Sequence, residues 1–129
     1  MSDKKRILVV DDDPDFASAI ATTLEGEGFL VDQAFNGAEC LDKVKESPPD
    51  LILLDIMMPE VDGYEVCKEL KGNEQYAKIP VIALTSVASQ VPKTKYSHYD
   101  GMNMEADDYL PKIVSTEEII KSINNLLKL

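Results

Sequence analysis

The sequence predicts an open α/β sheet whose parallel strands are covered by helices on both faces. Three observations carry that prediction. Strand-like and helix-like patterns alternate from end to end of the chain, the alternation that yields a parallel sheet with crossover helices. Ile7-Leu8-Val9-Val10, Leu51-Ile52-Leu53-Leu54 and Val81-Ile82-Ala83-Leu84 are unbroken apolar runs, as expected of strands buried on both faces. Two of these runs end in acid, at Asp11-Asp12-Asp13 and at Asp55, and the carboxyl ends of such strands are where open α/β sheets place their ligands.

The elements follow in order. The first strand runs from Arg6 to Val10. Asp13 then offers an N-cap and Pro14 a first helical residue, and Phe16, Ile20 and Leu24 recur at helical spacing up to Gly26 and Gly28. Phe29 to Phe35 alternates as a second strand. Asn36 caps the next helix, with Glu39 three residues on, Leu41 and Val44 facing inward, and Ser47-Pro48-Pro49 as the stop. Leu51 to Leu54 is the third strand. A loop from Met57 through Pro59 to Gly63 leads into a helix through Val66, Cys67 and Leu70, closed by Gly72 and Asn73. Ile79 to Leu84 is the fourth strand, with Pro80 tolerated near its start. After a poorly patterned stretch from Val87 to Ala106, Tyr109-Leu110 forms a short fifth strand. Ser115 and Glu118 make a capping box, and Ile119, Ile120, Ile123, Leu126 and Leu127 give the last helix its apolar face.

Five such units in 129 residues are too few for an eight-stranded barrel. They fit a flavodoxin-like (βα)5 doubly wound sheet of strand order 2-1-3-4-5, whose ligand crevice lies between the first and third strands. That order brings Asp11, Asp12 and Asp55 together, with Thr85 after the fourth strand and Lys112 after the fifth. Like charges so close do not all remain ionised and uncompensated, and a hard divalent cation such as Mg²⁺, held by oxygen, is the simplest remedy.

Composition excludes other classes. The formal net charge is -11 and Arg6 is the single arginine, so a basic groove for nucleic acid is missing and an anionic membrane surface would repel the chain. No apolar run reaches membrane-spanning length or forms a signal peptide, which makes the cytoplasm the expected location. Cys40 and Cys67 lie in no metal-binding or redox spacing and read as small buried hydrophobes. His98, the one histidine, falls in the poorly patterned stretch and reads as a surface residue.

The pocket so assembled combines carboxylates, a hydroxyl and an ammonium. Carboxylates hold a metal, and a metal offsets phosphoryl charge. Lys112 adds a second positive charge, and Thr85 a hydrogen bond to a developing phosphoryl oxygen. A carboxylate can itself attack phosphorus to form an acyl phosphate, and phosphoryl transfer rests mainly on positioning and charge stabilisation.

These residues carry a resemblance over the whole chain. Val9-Val10-Asp11-Asp12-Asp13, Leu53-Leu54-Asp55-Ile56-Met57-Met58-Pro59 with Gly63, Pro80-Val81-Ile82-Ala83-Leu84-Thr85-Ser86, and Ala106-Asp107-Asp108-Tyr109-Leu110-Pro111-Lys112 stand in order at successive strand ends. Together they resemble the receiver domains of two-component response regulators. The resemblance implies one receiver domain over residues 1–129, without an output domain. It implies that Asp55 accepts a phosphoryl group from a phosphohistidine on a histidine kinase or phosphotransfer protein. It implies Mg²⁺ bound by Asp12 directly, by Asp11 mainly through water, by Asp55 and by the Met57 carbonyl. Thr85 and Lys112 would meet the phosphoryl group, and Tyr109 would swing inward as Thr85 moves, presenting an altered surface to a downstream target or output domain. Such a domain is no enzyme beyond phosphotransfer to its own aspartate and its reversal. It is expected as a monomer, with dimerisation on phosphorylation as the alternative state.

Two departures from the family pattern stand out. Lys112 is followed by Ile113 and preceded by Pro111, where the family usually has Lys-Pro, and the stretch from Thr85 to Lys112 is longer than usual. Rival readings are weaker in specific ways. Asp11-x-Asp13-x-Asp15 resembles the start of an EF-hand, but Phe16 and Thr22 replace its glycine and final glutamate. Asp11-x-Asp13 also resembles the nucleophile motif of haloacid-dehalogenase-type phosphatases, a reading that leaves Asp55-x-x-x-Pro59 unexplained. A degenerate receiver that works without phosphorylation is the remaining alternative.

Overall fold

The computed structural model describes residues 4–55, 63–85, 106–111 and 116–128. Its strands are β1 (Arg6–Val10), β2 (Leu30–Ala34), β3 (Leu51–Asp55), β4 (Val81–Thr85) and β5 (Asp108–Pro111), and its helices α1 (Pro14–Gly26), α2 (Gly37–Glu46), α3 (Gly63–Lys71) and α4 (Thr116–Leu127). The strands form one sheet in the order β2-β1-β3-β4-β5, and every pairing is parallel. This is the flavodoxin-like order expected from the sequence.

The unbroken apolar runs are explained by two cores, one on each face. Leu8, Val10, Ile52, Leu54, Val81 and Ala83 pack with Cys40 and Val44 of α2 and Val66, Cys67 and Leu70 of α3. Ile7, Val9, Leu51, Leu53, Ile82 and Leu84 pack with Ala17, Ile20 and Leu24 of α1 and Ile119 and Ile123 of α4. Alternate side chains of a strand point to opposite faces, so a strand covered twice has no position left for a polar residue. Fully burying each valine, leucine or isoleucine among them is worth about 1.5–3 kcal/mol.

Helix ends follow their sequence signals. Asp13 caps α1, its Oδ1 accepting the N–H groups of Asp15 at 3.0 Å and Phe16 at 3.4 Å, and Pro14 is the first helical residue. Past the helix, Gly28 has φ +98°, a conformation that glycine adopts without the steric cost of a Cβ. Asn36 Oδ1 accepts the Glu39 N–H at 2.8 Å, and α2 ends at Ser47, before the two prolines.

Strand boundaries differ from the sequence expectation for identifiable reasons. β2 is Leu30–Ala34 rather than Phe29–Phe35, and its flanking residues are tied to helices, the Phe29 N–H donating to Leu24 O at 3.1 Å and the Phe35 N–H to Glu39 Oε1 at 2.8 Å. β4 starts at Val81 rather than Ile79. Pro80 has no N–H to give a ladder, and Ile79 O accepts from Lys71 Nζ at 2.8 Å. β3 extends through Asp55, which pairs in register with Leu84. β5 gains Asp108 and Pro111, which pair with Ile82 and Thr85. The Ser115 cap and the stretch from Val87 to 105 lie outside the described residues.

Candidate functional site

The register puts the acids side by side. Val10 pairs with Leu54, so the next residues, Asp11 and Asp55, leave adjacent strands at the same level. Asp55 is itself opposite Leu84, and Thr85, next in β4, is opposite Pro111. The carboxyl ends of β1, β3 and β4 thus form one rim, as the 2-1-3-4-5 order requires.

Carboxylate oxygens of Asp11, Asp12 and Asp55 all lie within 4.8 Å of one another. Asp11 is fully buried and Asp55 is 3% exposed, whereas Asp12 opens to solvent. Backbone bonds fix the first of these: the Asp11 N–H donates to Ala34 O at 3.0 Å, and Asp11 Oδ1 accepts the Asp13 N–H at 2.9 Å. Asp13 therefore links the pocket to the start of α1.

An all-oxygen, anionic donor set with one exposed member suits a hard cation that keeps part of its water shell. Mg²⁺ typically binds through one or two carboxylates plus waters or phosphate oxygens. The residues present fit that ion. Among the described residues, the cluster holds no thiolate or imidazole donor of the kind that would favour a softer metal.

The other predicted residues fall as follows. Thr85 closes β4, where its backbone alone is described. Gly63 is the first residue of α3. Tyr109 is partly buried in β5, packed against the core cluster that holds its register partner Ala83. Met57, Pro59 and Lys112 lie outside the described residues, Lys112 directly after the last residue of β5.

Two contacts that the sequence did not announce hold β5 in place. Lys71 Nζ, on a side chain only 9% exposed, donates to Asp107 Oδ2 at 2.9 Å, Ile79 O at 2.8 Å and Ala77 O at 3.1 Å. Asp107 Oδ2 also accepts the Val81 N–H at 2.8 Å. Asp108 accepts the Tyr109 N–H through Oδ1 at 2.8 Å and the Ser122 hydroxyl of α4 through Oδ2. The adjacent acids of Ala106-Asp107-Asp108-Tyr109 were the available signal, but their partners are distant in sequence and follow no local pattern.

Cys40 and Cys67 are buried thiols. Burial first, and the neighbouring Cys67 second, push the Cys40 thiol up from 9.0 to about 12, which suits the core role read from the sequence. Among the described residues, no helix is long and apolar enough to cross a membrane.

Comparison with known proteins adds an independent line. A protein-family model described as the response regulator receiver domain matches residues 7–124. The chain is 38% identical over 123 residues to the DNA-binding dual master transcriptional regulator RpaA of Synechocystis, a match covering 95% of this chain and 49% of that protein. The chain thus spans about half the length of the curated relatives it matches. The receiver domain of Francisella response regulator 1452 superimposes with a TM-score of 0.82 at 34% identity, covering 97% of this chain and 98% of that one. The response regulator TrrA of Thermotoga maritima, solved in complex with Mg²⁺ and BeF, superimposes with a TM-score of 0.78 at 33% identity, covering 95% and 98%.

Proposed function

The chain belongs to the response regulator receiver domain family, and on that premise we propose that it is a phosphorylation-activated switch of two-component signalling with Asp55 as its phosphoacceptor. The observation that carries the proposal is the convergence of three carboxylates within 4.8 Å at the carboxyl ends of β1 and β3, with Asp55 as a buried member.

Asp11, Asp12, Asp55 and the Met57 carbonyl would hold Mg²⁺. When bound, that ion offsets the negative charge of the phosphoryl oxygens. An Asp55 oxygen forms the new bond to phosphorus while the bond from phosphorus to the donor's imidazole nitrogen breaks. The nitrogen keeps the electron pair, and an acyl phosphate remains on Asp55. A carboxylate nucleophile needs no separate base, so Lys112 and Thr85 serve charge and hydrogen bonding at the phosphoryl oxygens. The donor is a histidine kinase or phosphotransfer protein.

The output runs through β4 and β5. Thr85 pairs with Pro111, and Ala83 with Tyr109, so a pull on Thr85 acts on the strand that carries Tyr109. A phosphoryl group biases this element between two arrangements, and a downstream target or output domain reads the resulting surface. The domain acts in the cytoplasm.

Beryllium fluoride with Mg²⁺, a mimic of the acyl phosphate, tests the switch. Added to ¹⁵N-labelled protein, it should shift the amides of Asp55, Thr85 and Tyr109 only when both components are present. Shifts confined to Asp11 and Asp12, or none, would refute the switch.

A further inference from the structure

A second surface lies at the far edge of the sheet. β2 ends the sheet order, and its backbone directions are set by two bonds to β1 and its flanks. Leu30 N–H donates to Lys5 O at 2.9 Å, and Ala34 O accepts from Asp11 N–H at 3.0 Å. Residues 30, 32 and 34 therefore turn their backbone groups toward β1. Successive residues of a strand alternate, so Val31 and Gln33 turn theirs outward, as the ladder of an edge strand does. Phe35, next in that outward series, has its N–H occupied by Glu39 Oε1.

Natural edges are usually blunted by lysine, proline, bulges or a covering element. From Leu30 to Phe35 there is no lysine and no proline. The one charged residue there, Asp32, is held by Arg6 Nη1 at 2.9 Å. Leu30, the first residue of the strand, and Phe35, just past its last, are the exposed large hydrophobics among the described residues at 39% and 38%. Beside the strand runs a groove of about 400 Å³ lined by Gln33, Phe35, Glu39, Asp42, Lys43 and Glu46. Its lining sets three carboxylates against one ammonium and adds an aromatic ring.

We infer that the β2 edge accepts an extended, basic segment of a partner protein as an added sixth strand. Backbone groups of Val31 and Gln33 supply the ladder bonds, and alternate side chains of the added strand enter the groove, the pairing by which sheet edges capture peptides. Lysine or arginine there meets Glu39, Asp42 and Glu46, and an arginine can also stack on Phe35. A second copy of this chain is the poorer occupant, because its net charge is -11 and its own β2 edge would set the same acids against these. The surface is separate from the phosphoacceptor pocket and does not depend on it.

The test uses ¹⁵N-labelled protein and a blocked octapeptide that alternates valine with lysine and arginine. Its control has glutamate at every basic position. The basic peptide should shift the amides of residues 31–35 and 39–46 saturably and slow hydrogen exchange at Val31 and Gln33. Asp42→Asn with Glu46→Gln should weaken binding at least tenfold. Gln33→Pro, which removes an outward N–H, should abolish it; if that variant fails to fold, N-methylation of the peptide's valines replaces it and should abolish binding equally. No saturable shift at millimolar peptide, an equal response to the glutamate peptide, shifts confined to other surfaces, or dimerisation through this edge without peptide would each overturn the inference.

Discussion

Asp55→Asn should make the metal-free protein more stable and the Mg²⁺-loaded protein relatively less so. Three carboxylates have oxygens within 4.8 Å of one another. Two unit charges at that separation repel by about 1 kcal/mol in bulk water and about 3.5 kcal/mol at an effective dielectric of 20. Asp12 is open to solvent, so its repulsion of Asp55 belongs at the low end, while that of the buried Asp11 belongs higher. Hydrogen bonding in the pocket offsets part of the total. A net gain of about 1–2 kcal/mol for the isosteric amide is expected, which at this chain length raises Tm by about 4–8 °C. The gain should shrink as salt rises. Mg²⁺ should reverse the order, because a ligand bound only by the folded state stabilises it by about 2.7 kcal/mol at a hundredfold excess over Kd, and the neutral amide of the variant should forfeit much of that affinity. Calorimetric melts of both proteins in EDTA and in Mg²⁺, at low ionic strength, measure the crossover. If Asp55→Asn is no more stable than wild type in EDTA, the three carboxylates do not repel one another in the metal-free fold.

Three further outcomes are expected. Lys71→Met breaks three charge-assisted bonds around a side chain 9% exposed. The loss should be about 3 kcal/mol, read as a lower urea midpoint at unchanged slope, whereas Asp107→Asn should cost about 1 kcal/mol because that carboxylate is 38% exposed. The Cys40 thiol, raised by burial from 9.0 to about 12, stays neutral in the folded chain while the unfolded thiol ionises. Its contribution to stability is therefore complete below pH 9 and is lost as pH rises toward 12; Cys40→Ala should flatten the alkaline limb of the stability curve, and an unchanged limb would contradict this. Native protein at about pH 8, below the ordinary thiol pKa, should react with a thiol reagent only after denaturant is added, since Cys40 and Cys67 are both buried; rapid reaction of the native protein would show that the core opens.

Much of this molecule was legible because its signals are local. A strand buried on both faces needs apolar residues throughout, so β1, β3 and β4 announce themselves, and the 2-1-3-4-5 order then aligns Asp11 with Asp55. Caps at Asp13 and Asn36 are equally local, set by side chains reaching the next turn. β2 was harder, because the residues at its ends, Phe29 and Phe35, give their N–H groups to Leu24 and Glu39 of the flanking helices. Only the second of those partners is suggested by spacing. The Lys71 clamp on Asp107, and Ser122 on Asp108, were illegible: each joins elements through a contact that no period or motif encodes. The open β2 edge is not encoded locally either, since exposure of a backbone edge depends on which strand the sheet places last.

The most direct test of the central claim is intact mass after incubation with Mg²⁺ and acetyl phosphate, comparing wild type, Asp55→Asn and Asp11→Asn. Wild type should gain one phosphoryl group only with metal present, and Asp55→Asn should gain none. A gain that survives in Asp55→Asn and disappears in Asp11→Asn would contradict the assignment and point to Asp11 as the nucleophile.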